Sequence, residues 1–281
     1  MARFNVVGDT FGQVWYDLLD ELCYYGDEAR PRGLPIKERL AVSLTVTDAL
    51  ANVLMDPLRA LNYRFMVAEW LWILAGRNDV ASLERYNQKM RDFSDDGLTL
   101  AGAYGPRLLP QWPYLLNALR ADQDTRQATA TIFTPCPARS KDVPCTLSFQ
   151  LLRRAGALHG VVTMRSSDAW LGLPYDFFTF SQLLNSMAAA LAVRAGALTF
   201  HLGSSHLYEP HYDLARQVLA ARQTSTLWSP QLLDYLSPKE ATMLLDATIV
   251  PGPKHEFGPY WRALHEARTR AQALEVLRGK A

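Results

Sequence analysis

The stretch at residues 164–176 constrains this chain most, because it packs an arginine, two hydroxyls and two carboxylates around a Leu-Gly-Leu-Pro turn. It follows directly on the run 158–163, which is predicted to be a strand. Polar groups at this density after a buried strand indicate a functional site. A solvated turn, whose Asp and Ser side chains bond only to local backbone, is the alternative that the residue types leave open.

Composition predicts one folded domain over residues 1–281. Hydrophobic residues make up 49% of the chain and include seven Trp, enough for a substantial core. The 29 Lys and Arg are balanced by 28 Asp and Glu, so the chain has no overall basic field. This balance argues against non-specific nucleic-acid binding as the main activity, while a nucleotide-sized ligand needs only a few local arginines.

The chain is expected to be cytoplasmic, in the host cell if it is phage-encoded. No apolar run approaches the ~18 residues of a membrane-spanning helix, and the first residues lack the apolar core of a signal peptide. The three cysteines, Cys23, Cys136 and Cys145, suit a reducing compartment better than a disulfide framework. No zinc-like ligand cluster accompanies them, so neither a metal nor a membrane is expected.

Residues 165–176 resemble the nucleotide-binding signature of the thymidylate synthase family, Arg-Ser-x-Asp-x-x-Leu-Gly-Leu-Pro-Phe-Asn. Two fixed positions differ, since Tyr175 stands for Phe and Asp176 stands for Asn. The resemblance implies that residue 176 reads the pyrimidine base and that Asp168 contacts the pterin of a folate. It also implies nucleotide binding by Arg165 and Ser166, and folate binding by Leu171 and Gly172.

Cys145 is the candidate nucleophile. A lone cysteine beside an apolar strand is usually inert packing. However, the spacing from Pro144 and Cys145 to Arg165 agrees with that between the family's catalytic Pro-Cys and its Arg-Ser-x-Asp. The attacking species must be a thiolate, and a nearby guanidinium such as Arg165 favours that form. Thr146 and Met164 depart from the family, which has His and Gln at these positions.

Two further residues are candidates for proton transfer. Glu69 lies in a segment, 68–76, that resembles the family's Glu-Leu-Leu-Trp-Phe-Leu-x-Gly helix, where the glutamate organises proton transfers around the base. A carboxylate on a mostly buried helix is costly unless it is paired or used, although it could also reach solvent from the helix edge. Tyr104, in residues 102–105, resembles the tyrosine of the family's Gly-Pro-x-Tyr-Gly, with one residue fewer.

The resemblance also implies a phosphate site and a sugar site. Arg32 is the better match to the family's phosphate-binding loop arginine, with Arg30 as the alternative; a solvated basic turn would look the same. Arg126 lies in a segment resembling Asp-Ser-Arg-Arg, whose arginines reach the phosphate of the partner subunit in a homodimer. His206 and Tyr208 match Gly-Asp-x-His-x-Tyr and, two residues apart on a strand, share one face.

Hydrophobic periodicity alone indicates a mixture of helices and strands. What the resemblance implies is more specific: an α+β, thymidylate synthase-like fold with a large mixed β-sheet covered by helices, and a sheet-to-sheet homodimer. The predicted helices are 8–22, 58–75, 77–90, 114–119, 180–191, 214–221 and 260–277, and the main predicted strands are 147–152, 158–163 and 198–203.

The resemblance implies a reaction on a pyrimidine monophosphate with 5,10-methylenetetrahydrofolate as cofactor. Cys145 would add to carbon 6, carbon 5 would take up the one-carbon unit, and loss of the carbon-5 proton would leave an exocyclic methylene. Thymidylate synthases reduce that methylene by hydride transfer. Here Met90 and Phe93 stand where those enzymes carry tryptophans, and the apolar C-terminal tail is absent. Both departures favour addition of water.

Asp176 favours cytosine over uracil, so the sequence predicts a deoxycytidylate 5-hydroxymethylase of the phage type. A carboxyl group can accept from the cytosine amino group and share a proton with the ring nitrogen, whereas an Asn answers the uracil pattern. The alternatives are a deoxycytidylate 5-methyltransferase, a CMP hydroxymethylase and an inactive nucleotide- or RNA-binding member of the family. Ser166 mildly favours deoxyribose, and intact Cys145 and Glu69 oppose the inactive alternative.

Overall fold

The computed structural model describes residues 4–134, 140–222 and 237–249, with residues 272 and 275. Eight strands form one mixed sheet in the order β1-β3-β8-β6-β5-β4, with β2 added beside β3 and β7 beside β8. Strands β1 and β3, β6 and β8, and β7 and β8 pair in parallel, while the other pairs are antiparallel. The strands are β1 (Asn5–Gly8), β2 (Asp27–Ala29), β3 (Ile36–Val46), β4 (Thr129–Thr131), β5 (Thr146–Arg154), β6 (Ala157–Met164), β7 (Ser167–Asp168) and β8 (Arg194–Tyr208).

Helices pack against this sheet, which confirms the predicted α+β class. They are α1 (Phe11–Tyr25), α2 (Tyr63–Leu74), α3 (Val80–Glu84), α4 (Gly105–Leu108), α5 (Trp112–Ala121), α6 (Leu173–Ala190), α7 (Tyr212–Ala221) and α8 (Pro238–Ile249). The helix α1 begins at a capping box, in which the Thr10 side chain accepts from the Gln13 backbone N–H. No helix in the described ranges is long and apolar enough to cross a membrane.

The sheet has one buried face and one partly exposed face. Val42 and Leu44 of β3 and Phe200 of β8 are at most 1% exposed and belong to a core that also holds Trp70 of α2 and Phe178 of α6. The side chains that alternate with these on the central strands are partly or fully exposed: Ser43, Thr45, Val161, Thr163, Thr199 and His201. This second face is therefore available to another molecule.

Several predicted elements differ from the observed ones in ways that matter for function. Helix α6 begins at Leu173, seven residues before the predicted start at Phe180, because Pro174 fits the first turn of a helix. This earlier start places Asp176 in the first helical turn. The predicted helix over 77–90 is interrupted, since α3 ends at Glu84 and a 3₁₀ turn covers Gln88–Phe93. The predicted helix 260–277, the C-terminal tail and Cys136 lie outside the described residues, apart from residues 272 and 275.

Candidate active site

The sheet brings four of the predicted site residues together at one end of its central strands. Strand β5 begins where β6 ends, and the Cys145 carbonyl accepts from the Arg165 N–H at 2.9 Å. Strand β7 pairs with the last residues of β8, which sets Asp168 opposite His206. Motifs that are 61 residues apart in sequence, from Cys145 to His206, thereby converge.

Cys145 lies against a guanidinium, as the sequence predicted. Its Sγ is 3.7 Å from Nη2 of Arg165 and 3.9 Å from Oγ of Ser166. Burial nevertheless raises the pKa of the thiol above its ordinary value; Arg165 opposes that rise and the Asp176 carboxyl adds to it. The guanidinium contact is therefore present, but burial outweighs its effect on the pKa.

Arg165 is held in place by neutral groups. Its Nε donates to the Pro144 carbonyl and its Nη2 to the Val143 carbonyl, both at 2.9 Å. A Cβ on Gly203 would lie 2.7 Å from the Arg165 carbonyl oxygen, so glycine is required where β8 passes the arginine. A guanidinium oriented by carbonyls keeps its charge for an anion such as a phosphate.

The site holds two carboxyl groups with raised pKa values. Burial, with a contribution from Asp176, raises the pKa of Glu69 on α2 to about 8. Burial, with a contribution from Asp168, raises the pKa of Asp176 on α6 to about 7. Both groups therefore hold a proton over much of the neutral range, which is the property required of a general acid.

Tyr104 completes this group from the loop before α4. Burial raises its pKa well above the ordinary value, and Asp176 and Cys145 reinforce the rise. Its ring packs at a tilt against Phe180, with 6.1 Å between the ring centroids. The phenol is thus a neutral hydrogen-bond donor within the electrostatic reach of the thiol.

The predicted sugar and phosphate residues also lie together. The rings of His206 and Tyr208 meet edge to face with centroids 5.1 Å apart. Arg32 reaches them from the turn before β3, since its Nη2 donates to the Tyr208 hydroxyl at 3.3 Å. Arg32 has a φ of 54°, a left-handed backbone that non-glycine residues rarely adopt. Burial lowers the pKa of His206, so the imidazole is neutral at neutral pH. Arg30 is exposed.

Asp168 shapes the Leu-Gly-Leu-Pro turn. Its Oδ1 accepts from the backbone N–H groups of Trp170 and Leu171 at 2.8 and 2.9 Å. The carboxyl thus forms the local backbone hydrogen bonds that a simple turn would also show. It lies opposite His206 as well, and it raises the pKa of Asp176. Leu171 is 51% exposed beside it. A carboxylate next to an exposed apolar side chain fits a flat ligand with N–H groups along one edge, such as a pterin.

Sequence reasoning missed two side chains of the site. Arg59 is 8% exposed, donates from Nε to the Trp170 carbonyl at 2.7 Å, and stacks over the rings of Trp170 and Tyr175. Glu38 of β3 lies opposite His206, and its Oε2 accepts from the Ser204 hydroxyl at 2.7 Å. Glu38 therefore supplies a carboxylate where Ser204 replaces the Asp of the family pattern. A charged residue within an otherwise apolar segment was the available signal for Arg59.

Three predicted residues lie apart from this cluster or at its edge. Arg126 is exposed in the loop before β4, at the opposite end of the sheet order from β1. Its backbone carbonyl accepts from the Gln150 side chain, and no hydrogen bond joins it to Cys145 or Arg165 within the described residues. Met90 is partly buried against the core, and Phe93 is 50% exposed.

Comparisons with known proteins agree with this arrangement. The family model for thymidylate synthase matches residues 41–234. Three curated relatives bear the name deoxyuridylate hydroxymethyltransferase. The relative from Bacillus phage SP01 is 35% identical over 229 residues, 74% of this chain and 60% of the relative. The one from Pseudomonas phage M6 is 33% identical over 184 residues, 59% of this chain and 52% of the relative.

The third relative, from Delftia phage PhiW-14, is 31% identical over 247 residues, 80% of this chain and 68% of the relative. The chain thus spans between about half and two thirds of the length of these relatives. The family match extends from within β3 to beyond α7. It includes every element that carries a residue of the candidate active site, except the Arg32 turn and the first residues of β3. On these grounds the chain belongs to the thymidylate synthase family.

Proposed function

We propose that this chain is a folate-dependent one-carbon transferase that hydroxymethylates carbon 5 of a pyrimidine deoxynucleoside monophosphate. The observation that carries this proposal is the convergence of a thiol, a guanidinium and two protonated carboxyl groups: Cys145, Arg165, Glu69 and Asp176. The names of the three phage relatives support hydroxymethyl transfer over methyl transfer.

In the proposed reaction Cys145 attacks carbon 6 of the base as a thiolate. The Cys145 sulfur forms the new bond, and the electron pair of the ring double bond moves toward carbon 5. Arg165 stabilises both the thiolate and the substrate phosphate, so substrate binding and activation of the nucleophile are linked. Protonated Asp176 and Glu69 supply protons to the ring, and Tyr104 donates a hydrogen bond near carbon 5.

The residues present fit 5,10-methylenetetrahydrofolate as the cofactor. Asp168, Leu171 and Gly172 would hold its pterin ring, and Arg59 and Trp170 support the turn that carries them. When bound, the cofactor supplies the one-carbon unit at the oxidation level of formaldehyde. A product that gains water at that carbon keeps this oxidation level and requires no hydride.

Asp176 supports cytosine as the base. A carboxyl group whose pKa is raised to about 7 can donate a proton to the ring nitrogen of cytosine, while its second oxygen accepts from the amino group. An amide can donate a hydrogen bond to that nitrogen but cannot protonate it. Protonation makes carbon 6 a better target for the thiolate, so we place dCMP first.

The second candidate substrate is dUMP, which the names of the relatives favour. A protonated carboxyl has one donor and one acceptor, so it can also accept from the uracil ring N–H and donate to the neighbouring carbonyl. Ionised Asp176 would lose that donor. Hydroxymethylation of dUMP should therefore slow as the pH rises above the pKa of Asp176.

We also propose a homodimer in which Arg126 reaches the phosphate of the partner subunit. Its exposed position in the loop before β4, the last strand of the sheet order, supports this arrangement. The partly exposed sheet face offers a surface on which two copies can pack, and a two-fold axis would bring Arg126 of each copy toward the other site.

The deciding experiment incubates the protein with dCMP, dUMP or CMP together with methylenetetrahydrofolate in oxygen-18-labelled water. We expect a product whose mass corresponds to a hydroxymethyl group that carries the label, with release of tetrahydrofolate. A methyl product with release of dihydrofolate would instead assign a methyltransferase. No product from any nucleotide would favour a binding role without catalysis.

Cys145→Ser should abolish this turnover while leaving nucleotide binding intact, because a serine hydroxyl is a far weaker nucleophile than a thiolate at neutral pH. Binding is measured by calorimetry and turnover by product mass. Cys23→Ser is the matched control, since Cys23 is buried in the core rather than in the site. Turnover retained in Cys145→Ser would contradict the covalent mechanism.

A further inference from the structure

The loops that carry Cys145 and Tyr104 are joined at one point. The Gly102 N–H, two residues before Tyr104, donates to Oδ2 of Asp142 at 2.7 Å, and Asp142 lies three residues before Cys145. A Cβ built on Gly102 would lie 2.8 Å from the Asp142 Oδ1 and 2.9 Å from its backbone oxygen. Glycine is therefore needed at this contact, because any larger residue would push the two loops apart.

The short segment 140–142 is fixed from its other side as well. Ser140 donates from Oγ to Asp95 Oδ2 at 2.7 Å, and the Lys141 N–H donates to Asp95 Oδ1 at 2.9 Å. The Asp142 N–H donates to Ser140 Oγ at 3.2 Å. Asp142 thus sits on an anchored segment and extends its carboxyl to the tyrosine loop.

The carboxyl of Asp142 is also one of the charges that face the thiol. The groups that act on the Cys145 thiol are Arg165, Asp176, Asp142 and the hydroxyl of Ser166. Asp142 opposes ionisation of the thiol, as does Asp176, while Arg165 favours it. Asp142 itself faces Asp95 and Arg107, and burial raises its pKa.

We infer that Asp142 is a positioning residue, whose carboxyl fastens the Tyr104 loop to the Cys145 loop and whose charge acts on the thiol. The inference rests on the proposed function, because it assigns Tyr104 and Cys145 to one substrate. The Gly-Pro-x-Tyr-Gly pattern of the family has one residue more than residues 102–105 here. A hydrogen bond from the other loop fixes the tyrosine where the chain itself is shorter.

The test separates the two roles of Asp142 with two substitutions. Asp142→Asn keeps an oxygen that accepts from Gly102 but removes the charge, whereas Asp142→Ala removes both. The first readout is the rate at which iodoacetamide alkylates Cys145 across pH, followed by peptide mass spectrometry, which needs neither substrate nor turnover. The second readout is kcat and KM with the nucleotide that the wild type uses.

For Asp142→Asn we expect nearly wild-type kcat and an alkylation profile shifted to lower pH, with a rate at neutral pH about threefold higher. The sign follows because removal of a negative charge favours the thiolate. For Asp142→Ala we expect kcat to fall about tenfold or more with little change in KM, since misplacement of a catalytic group costs rate rather than binding. Combining it with Tyr104→Phe should cost little beyond the larger single effect.

Asp92→Asn is the matched control, because it removes an exposed carboxylate that is not among the groups acting on the thiol. Its alkylation profile should coincide with that of the wild type. If Asp142→Ala does not fold, Gly102→Ala breaks the same contact from the other loop, leaves the charge in place, and should lower kcat likewise.

Wild-type kcat in Asp142→Ala or Gly102→Ala would overturn the positioning role. An alkylation profile unchanged in Asp142→Asn would overturn the action on the thiol. A wild-type protein that converts no pyrimidine nucleotide would instead refute the proposed function, and the alkylation profiles would still decide whether Asp142 acts on Cys145.

Discussion

At the scale of single residues, Asp176 is the position from which the choice of base can be tested. Asp176→Asn removes the proton that cytosine requires while keeping one donor and one acceptor for uracil. We expect the ratio of kcat/KM for dUMP to that for dCMP to rise about tenfold to a hundredfold, because an ionised Asp176 leaves the uracil carbonyl without a donor, whereas Asn supplies one. This ratio is measured for the wild type and for Asp176→Asn by letting dUMP and dCMP compete and determining the product masses. An unchanged ratio would mean that another residue reads the base.

The raised pKa values also predict how stability depends on pH. Asp176 and Glu69 hold protons in the folded chain up to about pH 7 and 8, whereas in the unfolded chain they lose them near their ordinary pKa values. Unfolding therefore releases protons between these limits, and the free energy of unfolding falls as pH rises through that window. Asp176→Asn should remove part of this fall, about 1–2 kcal/mol after allowance for partial exposure.

Urea denaturation near pH 5 and near pH 8 checks this expectation. Asp92→Asn serves as the control, since Asp92 is an exposed carboxylate. The wild type should lose more stability than Asp176→Asn between the two pH values, while the control should follow the wild type. Parallel behaviour of all three proteins would show that Asp176 ionises as easily in the folded chain as in the unfolded one.

At the scale of elements, the turn between β7 and α6 depends on a side chain that is distant in sequence. Arg59 bonds to the Trp170 carbonyl and stacks over two rings of this turn. Arg59→Lys keeps the charge but loses the planar stack and the Nε bond, and we expect it to cost about 1–2 kcal/mol. Because this turn carries the residues that we propose to bind the folate, KM for the folate should rise more than KM for the nucleotide.

Arg216→Lys, on the exposed surface of α7, is the matched control for Arg59→Lys. It should leave the stability and both KM values unchanged. An equal rise of both KM values in Arg59→Lys would indicate general loosening of the site. An unchanged folate KM would show that the turn holds its shape without the stacked guanidinium.

The same elements show what could be predicted from the sequence. The α+β class was confirmed. Contiguous motifs singled out Cys145, Arg165 and Glu69 as candidates, because each lies in a patterned run whose residues are neighbours in the chain. Arg59, Glu38 and Asp142 were missed because their contacts join segments 111, 166 and 40 residues apart. Local pattern reports the period of an element, but it carries no information on which distant element will pack beside it.

At the scale of the whole molecule, the position of Arg126 leads to the strongest prediction about assembly. If each phosphate site borrows Arg126 from a partner, Arg126→Ala and Cys145→Ser homodimers are both inactive, for different reasons. Mixing them and allowing subunits to exchange produces heterodimers. In these, the site with intact Cys145 receives intact Arg126 from the other chain, while the second site lacks both.

Random exchange of equal amounts makes half of the dimers heterodimers with one working site each, so activity should recover to about a quarter of the wild-type value. Arg154→Ala mixed with Cys145→Ser is the matched control, because Arg154 is an exposed arginine at the end of β5 that binds Asp124, and this mixture should have about half of the wild-type activity before and after exchange. Sedimentation velocity shows whether dimers are present before and after mixing. Dimers that exchange subunits without recovering activity would place Arg126 at the site of its own chain, whereas a monomer that remains active would remove the need for a partner, since one chain would then supply every phosphate ligand.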